Sequence, residues 1–330
     1  MLRTLRPALL LATASVAAAG VLAVPGAAFA ADTTTTLSKT EMAKALDAAA
    51  VTTRAAEAKG WAGNYSMKSD DGNGSAAFGT DPLAGRAYVK LALPYEHSTT
   101  YAVSKKGLYE PLSSKKQKAA VKMIRKPSAT YVFTTNTKLN AVSWARDNSA
   151  DPAVVLTEDN DYAGTKTVHD DGSITYKYND GEEADFALQV SSAGVLTGAT
   201  LGYADYMTAT FAWRYGAQTV TLPTTAQTVG LATLTKAVAY VNLAADVQKL
   251  AKKSAADVRT AANKHTVKVS VLRKVVKRDG ATFNKTAKVK VVTVTNITGG
   301  VRIYAKNPWT GVKVIYTIKA SGKKVVVTKK

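Results

Sequence analysis

From Trp61 onward the large apolar side chains recur at every second position in short runs, and clusters of Asp, Asn and Gly close each run. A chain patterned with a period of two alternates its side chains between two faces, so it is confined to strands. The runs "GRAYVKLALP", "STTYAVS", "SATYVFTT", "NAVSWAR", "GSITYKYN", "EADFALQVS" and "YMTATFAWRY" are of this kind. The separators "DDGNG", "DDG", "NDGE" and "SAG" hold the residues that tolerate the backbone angles of tight reversals, which predicts antiparallel hairpins.

Two segments break that rhythm. Ser38 and Glu41 form a capping-box pattern ahead of Leu46, Ala49, Thr53 and Ala56, which predicts a helix over about 40–59 stopped at Lys59-Gly60. The stretch 113–127, "SSKKQKAAVKMIRKP", reads as a short amphipathic helix or loop ended by Pro127. Before the first helix, "ADTTTTL" (31–37) reads as a polar leader with a mobile end.

The first thirty residues place Arg3 and Arg6 ahead of an apolar run that Pro25 and Gly26 interrupt, and end in Ala-Phe-Ala. This is the pattern of a cleavable secretory signal, so the expected location is secreted or associated with the cell envelope. The sequence has no cysteine, which excludes disulfides and leaves no N-terminal thiol to lipidate. A chain of this size must therefore bury a real core, most naturally in two domains.

Charge divides the sequence. Residues 231–330 carry 22 Lys/Arg against Asp246, Asp257 and Asp279, whereas residues 31–230 sum to −1. The step predicts a boundary near 230, with "TTAQTVGLAT" (224–233) as a linker. Beyond it a helix is expected from about Thr235 to Ala262, with Leu243, Val247, Leu250, Ser254 and Val258 on one stripe. Val or Ile then alternates with Lys in "HTVKVSVLRKVVKRDG", "TAKVKVVTVTN", "GVRIYAK", "GVKVIYTIKA" and "KKVVVTKK", which reads as strands with one apolar and one cationic face. Both halves run helix first and sheet second, the order a degenerate repeat would leave.

Catalytic patterns are thin. His97, His169 and His265 fall in separate segments, and the sequence offers no nucleophile elbow, P-loop or dinucleotide fingerprint, so enzyme is the weakest class and neither a catalytic residue nor a cofactor is assigned. The acidic clusters at 69–74, 157–164 and 180–185 lack the spacing of a calcium loop and read as solvated turns; no metal ligand is assigned.

What remains is apolar. Leu46 on the helix and the strand positions Val89, Leu91 and Leu93, Tyr131 and Phe133, Val142 and Trp144, Phe186 and Leu188, and Phe211, Trp213 and Tyr215 form same-parity sets. One Ala-rich helix is too slender to cover so many strands, which leaves two readings: a hydrophobic cavity, or a filled core.

The helix followed by "YSM" at 65–67, the strand-turn-strand "GTKTVHDDGSITYKY" (164–178) and the closing "YADYMTATFAWRYGAQTVTLP" resemble the LolA-like lipoprotein-carrier fold, within it the LppX/LprG type of envelope lipid carrier, over about residues 38–229. That resemblance implies an α+β fold: a curved antiparallel half-barrel sheet wrapped over helices, with a cavity for acyl chains lined by Leu46, Leu91, Leu93, Tyr131, Phe133, Trp144, Phe186, Leu188, Phe211, Trp213 and Tyr215. Many members carry a lipidated cysteine that this sequence lacks, and the smaller basic helix-plus-antiparallel-sheet domain (230–330) lies outside the resemblance.

A domain so one-sidedly cationic attracts polyanions. The expected partners are an acyl lipid or other hydrophobic ligand for the first domain and, for the second, an anionic envelope polymer first, an anionic membrane surface next and nucleic acid last, through Lys268, Lys274, Lys288, Lys290, Lys313 and Lys324. The competing reading is an envelope-associated interaction module with a filled core that binds polyanions and no lipid.

Overall fold

The computed structural model describes residues 32–330 apart from Asp71, Asp159, Glu182, Glu183, Ala204 and Asp205; the expected signal segment, 1–30, lies outside the described residues. In chain order the elements are β1 (Thr33–Leu37), α1 (Lys39–Glu57), β2 (Trp61–Ser69), β3 (Gly74–Asp81), β4 (Arg86–Leu93), β5 (Glu96–Val103), β6 (Gly107–Pro111), α2 (Lys115–Met123), β7 (Tyr131–Thr135), α3 (Ala141–Asn148) and α4 (Pro152–Val155). There follow β8 (Gly164–Val168), β9 (Ile174–Asn179), β10 (Ala184–Val190), β11 (Leu196–Tyr203), β12 (Met207–Tyr215), β13 (Thr228–Gly230), α5 (Leu231–Val238), α6 (Leu243–Ala262) and α7 (Val269–Ala287). The chain closes with β14 (Val292–Ile297), β15 (Gly300–Lys306), β16 (Lys313–Ser321) and β17 (Lys324–Lys329).

These elements form two compact units that do not follow chain order. Among the described residues, 32–110 and Thr135–Leu222 make one; Pro111–Thr134 and Pro223–Lys330 make the other. The expected cut near 229 thus misses an excursion of 24 residues that belongs with the C-terminal part. Reassigning it sharpens the charge step, because 111–134 brings six Lys/Arg and no acid: the second unit carries 28 Lys/Arg against three Asp, and residues 31–110 with 135–222 carry a net −7.

In the first unit, eleven strands lie in the order β1-β8-β9-β10-β11-β12-β2-β3-β4-β5-β6, antiparallel throughout and open rather than closed. Helix α1 starts where expected: Ser38 Oγ accepts from the Glu41 N–H and Glu41 Oε2 accepts from the Ser38 N–H at 2.9 Å. Met42, Leu46, Ala49 and Ala50 put its apolar face into the core with Leu156 of the turn after α4 and residues of β2, β3, β4 and β9 to β12. Each fully buried leucine there contributes about 1.5–3 kcal/mol.

Two expectations fail in this unit. The polar leader is an edge strand: Thr33 to Leu37 pair with Val168 to Gly164, and the Thr34 and Thr167 hydroxyls meet at 2.9 Å. Threonine is β-branched and suits an extended ladder, a preference that composition alone hides. "NAVSWAR" is helix, not strand. The Asn140 side chain accepts from the Ser143 N–H at 3.0 Å, and Ala141 and Ala145, one turn apart, pack against Ala87 and Ala102. Four small residues let α3 lie close to the sheet, and the Val142/Trp144 alternation was too short to exclude a helical period.

In the second unit β14 to β17 form a separate antiparallel sheet in sequence order, with α6 and α7 against its apolar face. The expected single helix 235–262 is two: between α5 and α6 the bonds shorten to i→i−3 (Tyr240 to Ala237, Val241 to Val238), and the Tyr240 hydroxyl donates to the Lys290 carbonyl. The expected linker contains β13, which pairs in parallel with β7, Val229 opposite Val132, and leads directly into α5. Helix α2 packs on α5, with Ala120 and Val121 beside Leu234 and Ala237.

The largest departure is α7, which the Val/Lys alternation presented as a strand. A strand would send Leu272 and Val276 to one face and Val275 to the other. The helix gathers Leu272, Val275, Val276, Asp279 and Gly280 on one buried face. Gly280 is required by close approach, since a Cβ there would stand 2.6 Å from Val294 Cγ2.

Candidate functional site

The apolar face of the first sheet is a set of cross-strand rows. In β12, Phe211 and Trp213 point inward and Thr210, Ala212 and Arg214 outward, as a period of two demands. Phe211 lies opposite Ala199 of β11 and Tyr65 of β2, and the row continues through Leu188 and Tyr176 on one side and Ala76 and Leu91 on the other. The next row runs Tyr178, Phe186, Leu201, Ala209, Met67, Gly74.

These rows differ in cover. Leu46 and Leu188 are fully buried, and Phe211 and Trp213 are only 8% and 5% exposed. Their rings stack at 5.4 Å and the Trp213 indole N–H donates to the Ala150 carbonyl at 3.2 Å. Gly63 makes room for the packing: a Cβ there would fall 2.3 Å from Phe78 and 2.7 Å from Trp213. This part of the face is filled core. Phe186, Leu201 and Met67 in the neighbouring row, with Tyr65, Leu91 and Leu93 beside it, are only half-buried, with Phe186 stacked on Tyr178 at 4.8 Å. They form an apolar margin that the helices of this unit do not close over.

The residues expected to line a cavity therefore separate. Leu46, Leu188, Phe211 and Trp213 are core; Leu91, Leu93 and Phe186 belong to the margin. Tyr215 is half-buried at the end of β12, its hydroxyl donating to the Leu196 carbonyl at 2.6 Å. Trp144 sits half-buried on α3. Tyr131 and Phe133 lie on β7 in the second unit, half-buried on either side of buried Val132. Tyr65, Met67 and Leu201 were missed, although "WAGNYSMK" places Tyr65 and Met67 in register with Trp61.

At the other end of the face lies a buried ionic cluster. Glu57, with no exposed surface, accepts from Arg54 at 2.6 Å and from Arg146 at 2.7 and 3.1 Å through one oxygen, and Asp151 accepts from Arg54 at 2.8 Å while capping α4. Burial, and next the Asp151 charge, push the Glu57 carboxyl above the usual range against the pull of the two guanidinium groups. Burial, with Glu57 and Asp151 adding to it, holds the Tyr215 phenol far above its ordinary value. The cluster joins α1, α3 and the cap of α4. A shallow depression of about 280 Å³ lies mostly on the opposite sheet face, bordered by Asn64, Ser66, Ser75 and Lys90.

The three histidines stay apart. His169 bonds Asp32 and Thr175 at 2.9 and 2.8 Å, and His97 and His265 are exposed. Among the described residues no group of three or more His, Cys, Asp or Glu is placed to hold a metal, and no helix is long and apolar enough to cross a membrane.

In the second unit Lys268, Lys274, Lys288, Lys290, Lys313 and Lys324 are all exposed but do not share one surface. Lys268 caps the start of α7, Lys274 is on its outward side, and Lys288 and Lys290 follow its end. Lys313 and Lys324 alternate with buried Val314 and Val325, so they stand on the sheet face turned away from the helices. Two of the aromatics near these cations are occupied: Trp309 meets the Tyr240 ring edge-on at 5.8 Å with the Lys236 ammonium 5.7 Å from its centre, and Tyr316 is buried.

No family model matches the chain, and no curated protein matches it. Among solved structures it is similar to an uncharacterized conserved protein from Thermus thermophilus, at 13% identity over 55% of this chain and 96% of that one, with a TM-score of 0.29. It is also similar to MucB in complex with MucA(peri), at 9% identity over 84% of this chain and 74% of that one, with a TM-score of 0.27. At such scores neither likeness carries an inference about ligand or partner.

Proposed function

We propose that this chain is an exported, non-enzymatic carrier of an acyl lipid or similar hydrophobic ligand, with a LolA-like first unit and a cationic second unit that retains it at an anionic envelope surface. The observation that carries the reading is the half-buried row Phe186, Leu201 and Met67, flanked by Leu91 and Leu93: contiguous apolar surface continuous with a packed core is what an acyl chain would cover. The open antiparallel sheet with α1 on its apolar face supports the LolA-like description.

The ligand test is solvent extraction of the purified mature protein followed by mass spectrometry, with uptake of a fluorescent acyl probe. Leu201→Asp should lower uptake by about tenfold or more, because a carboxylate would be desolvated under the chain, while the fold survives at a half-buried position. A second reading, a polyanion-binding module with a filled core and no lipid, draws on the tight packing of Phe211, Trp213 and Leu188. No extracted lipid, together with no probe uptake by the wild type, would decide for it. Retention predicts that high salt releases the protein from cells, since exposed charges are screened within about 3 Å at 1 M salt.

A further inference from the structure

The outer face of the β14–β17 sheet has a composition unlike the rest of the basic surface. Val301, Ile303, Ala305, Val314 and Ile318 turn inward to α6 and α7, so Arg302, Lys306, Lys313 and Lys319 turn outward and are exposed. Residues 280–330 contain no Asp or Glu. The register places Lys306 directly opposite Lys313, and like charges held directly across a ladder destabilise it unless an anion lies between them. Arg302 sits in a cross-strand row with Thr295, buried Thr317 and Thr328, so the exposed hydroxyls of Thr295 and Thr328 flank a guanidinium able to hold phosphate in a bidentate way.

We propose that this face is the docking surface for a linear phosphodiester polymer, a chain of phosphates joined by hydroxylated units; the inference deepens the retention half of the reading above and rests on it. Cations spread over several strands meet successive phosphates, and the exposed hydroxyls of Thr295 and Thr328 meet the hydroxyls and phosphate oxygens between them. Two other anionic partners fit less well. A bilayer interface favours projecting Trp and Tyr, whereas Trp309 is half-buried against the Tyr240 ring and Tyr304 on the outer face is half-buried. A single strand of nucleic acid wants stacking platforms, which this face does not raise above its lysines.

The test uses the full mature chain. Affinity is measured for poly(glycerol phosphate), for vesicles of phosphatidylcholine and phosphatidylglycerol in equal parts, and for an oligothymidylate, across a salt series. Wild type should bind the phosphodiester polymer most tightly. The quadruple variant Arg302→Gln/Lys306→Gln/Lys313→Gln/Lys319→Gln should lose about 100-fold in affinity and reduce the salt slope by about 3, as expected for the loss of four phosphate contacts. The charge-matched variant Lys249→Gln/Lys252→Gln/Lys274→Gln/Lys277→Gln, on the outward sides of α6 and α7, should lose less than about fivefold. Equal losses from the two variants would overturn the assignment to this face and leave retention by charge alone. Stronger wild-type binding to vesicles or oligothymidylate would replace the partner. Failure to bind any of the three would remove the retention reading as well. Uptake of the acyl probe, measured on the same variants, stays unchanged in every case if the ligand site is separate.

Discussion

Both units press a sheet against helices, and they differ in what is left uncovered. In the first, α1 and the turn after α4 cover Leu188 and Phe211 but leave Phe186, Leu201 and Met67 half-open, so the incomplete cover exposes apolar surface. In the second, α6 and α7 take up the valine and isoleucine face of β14 to β17, and the opposite face carries exposed Arg302, Lys306, Lys313, Lys319 and Lys324 with Val326 among them. An amphipathic sheet needs one covering layer and no more. The same construction thus yields an oily margin in one unit and a charged face in the other, which is the physical basis for assigning them separate tasks.

The sharpest way to break this comparison is at the boundary. A chain ended after Val229 keeps 111–134 but removes Leu234 and Ala237, against which Ala120, Val121 and Val132 pack, so it should aggregate on size-exclusion chromatography. A chain ended at Leu222 with 111–134 replaced by a short Gly-Ser linker should stay monomeric and folded. The reverse result would mean that the excursion belongs with the first unit.

Within the first unit the two rows should respond differently. Leu188→Ala should cost about 3 kcal/mol in denaturant unfolding with cavity formation, whereas Leu201→Ala should cost about 1 kcal/mol or less and act mainly on probe uptake. Similar costs would show that the margin is core after all.

Smaller effects follow from the ionic cluster. Glu57→Gln should leave stability near neutral pH unchanged or raise it by about 1 kcal/mol, because burial penalises the carboxylate more than Arg54 and Arg146 favour it, and both guanidinium groups keep Asp151. Its pH dependence has a definite sign. A carboxyl whose folded pKa is raised binds its proton more tightly when folded, so its contribution is most favourable at low pH and falls as pH rises from the unfolded Glu value of about 4.3 through the folded one. The stability of wild type minus that of Glu57→Gln should therefore decline over that window. A difference that grows with pH would show that the guanidinium groups outweigh burial. At the bottom of the scale, Lys313→Gln should change stability by less than about 0.5 kcal/mol, in the stabilising direction because it relieves Lys306.

Much of this was legible in the sequence where the determinant is local. Ser38 and Glu41 start α1 from within one turn of chain, the Asp/Asn/Gly clusters close the hairpins they interrupt, and alternation puts Phe211 and Trp213 on the inner face of β12. The concentration of cations toward the C-terminus needs no structure at all. Tertiary structure alone decided the rest, because the deciding contacts join residues far apart in the chain. "VKVSVLRKVV" satisfies both a strand and a helix period, and packing on β14 and β15, with Gly280 admitting Val294, selects the helix. Residues 111–134 share the second unit's cationic composition, but nothing local says what they pack on, since Val132 meets Val229 and Ala120 meets Leu234 only across about a hundred residues. Whether an inward-facing leucine becomes core or margin is equally invisible in a strand: Leu188 and Leu201 share the inner face, and only the position of the helices above them buries one and leaves the other half-open.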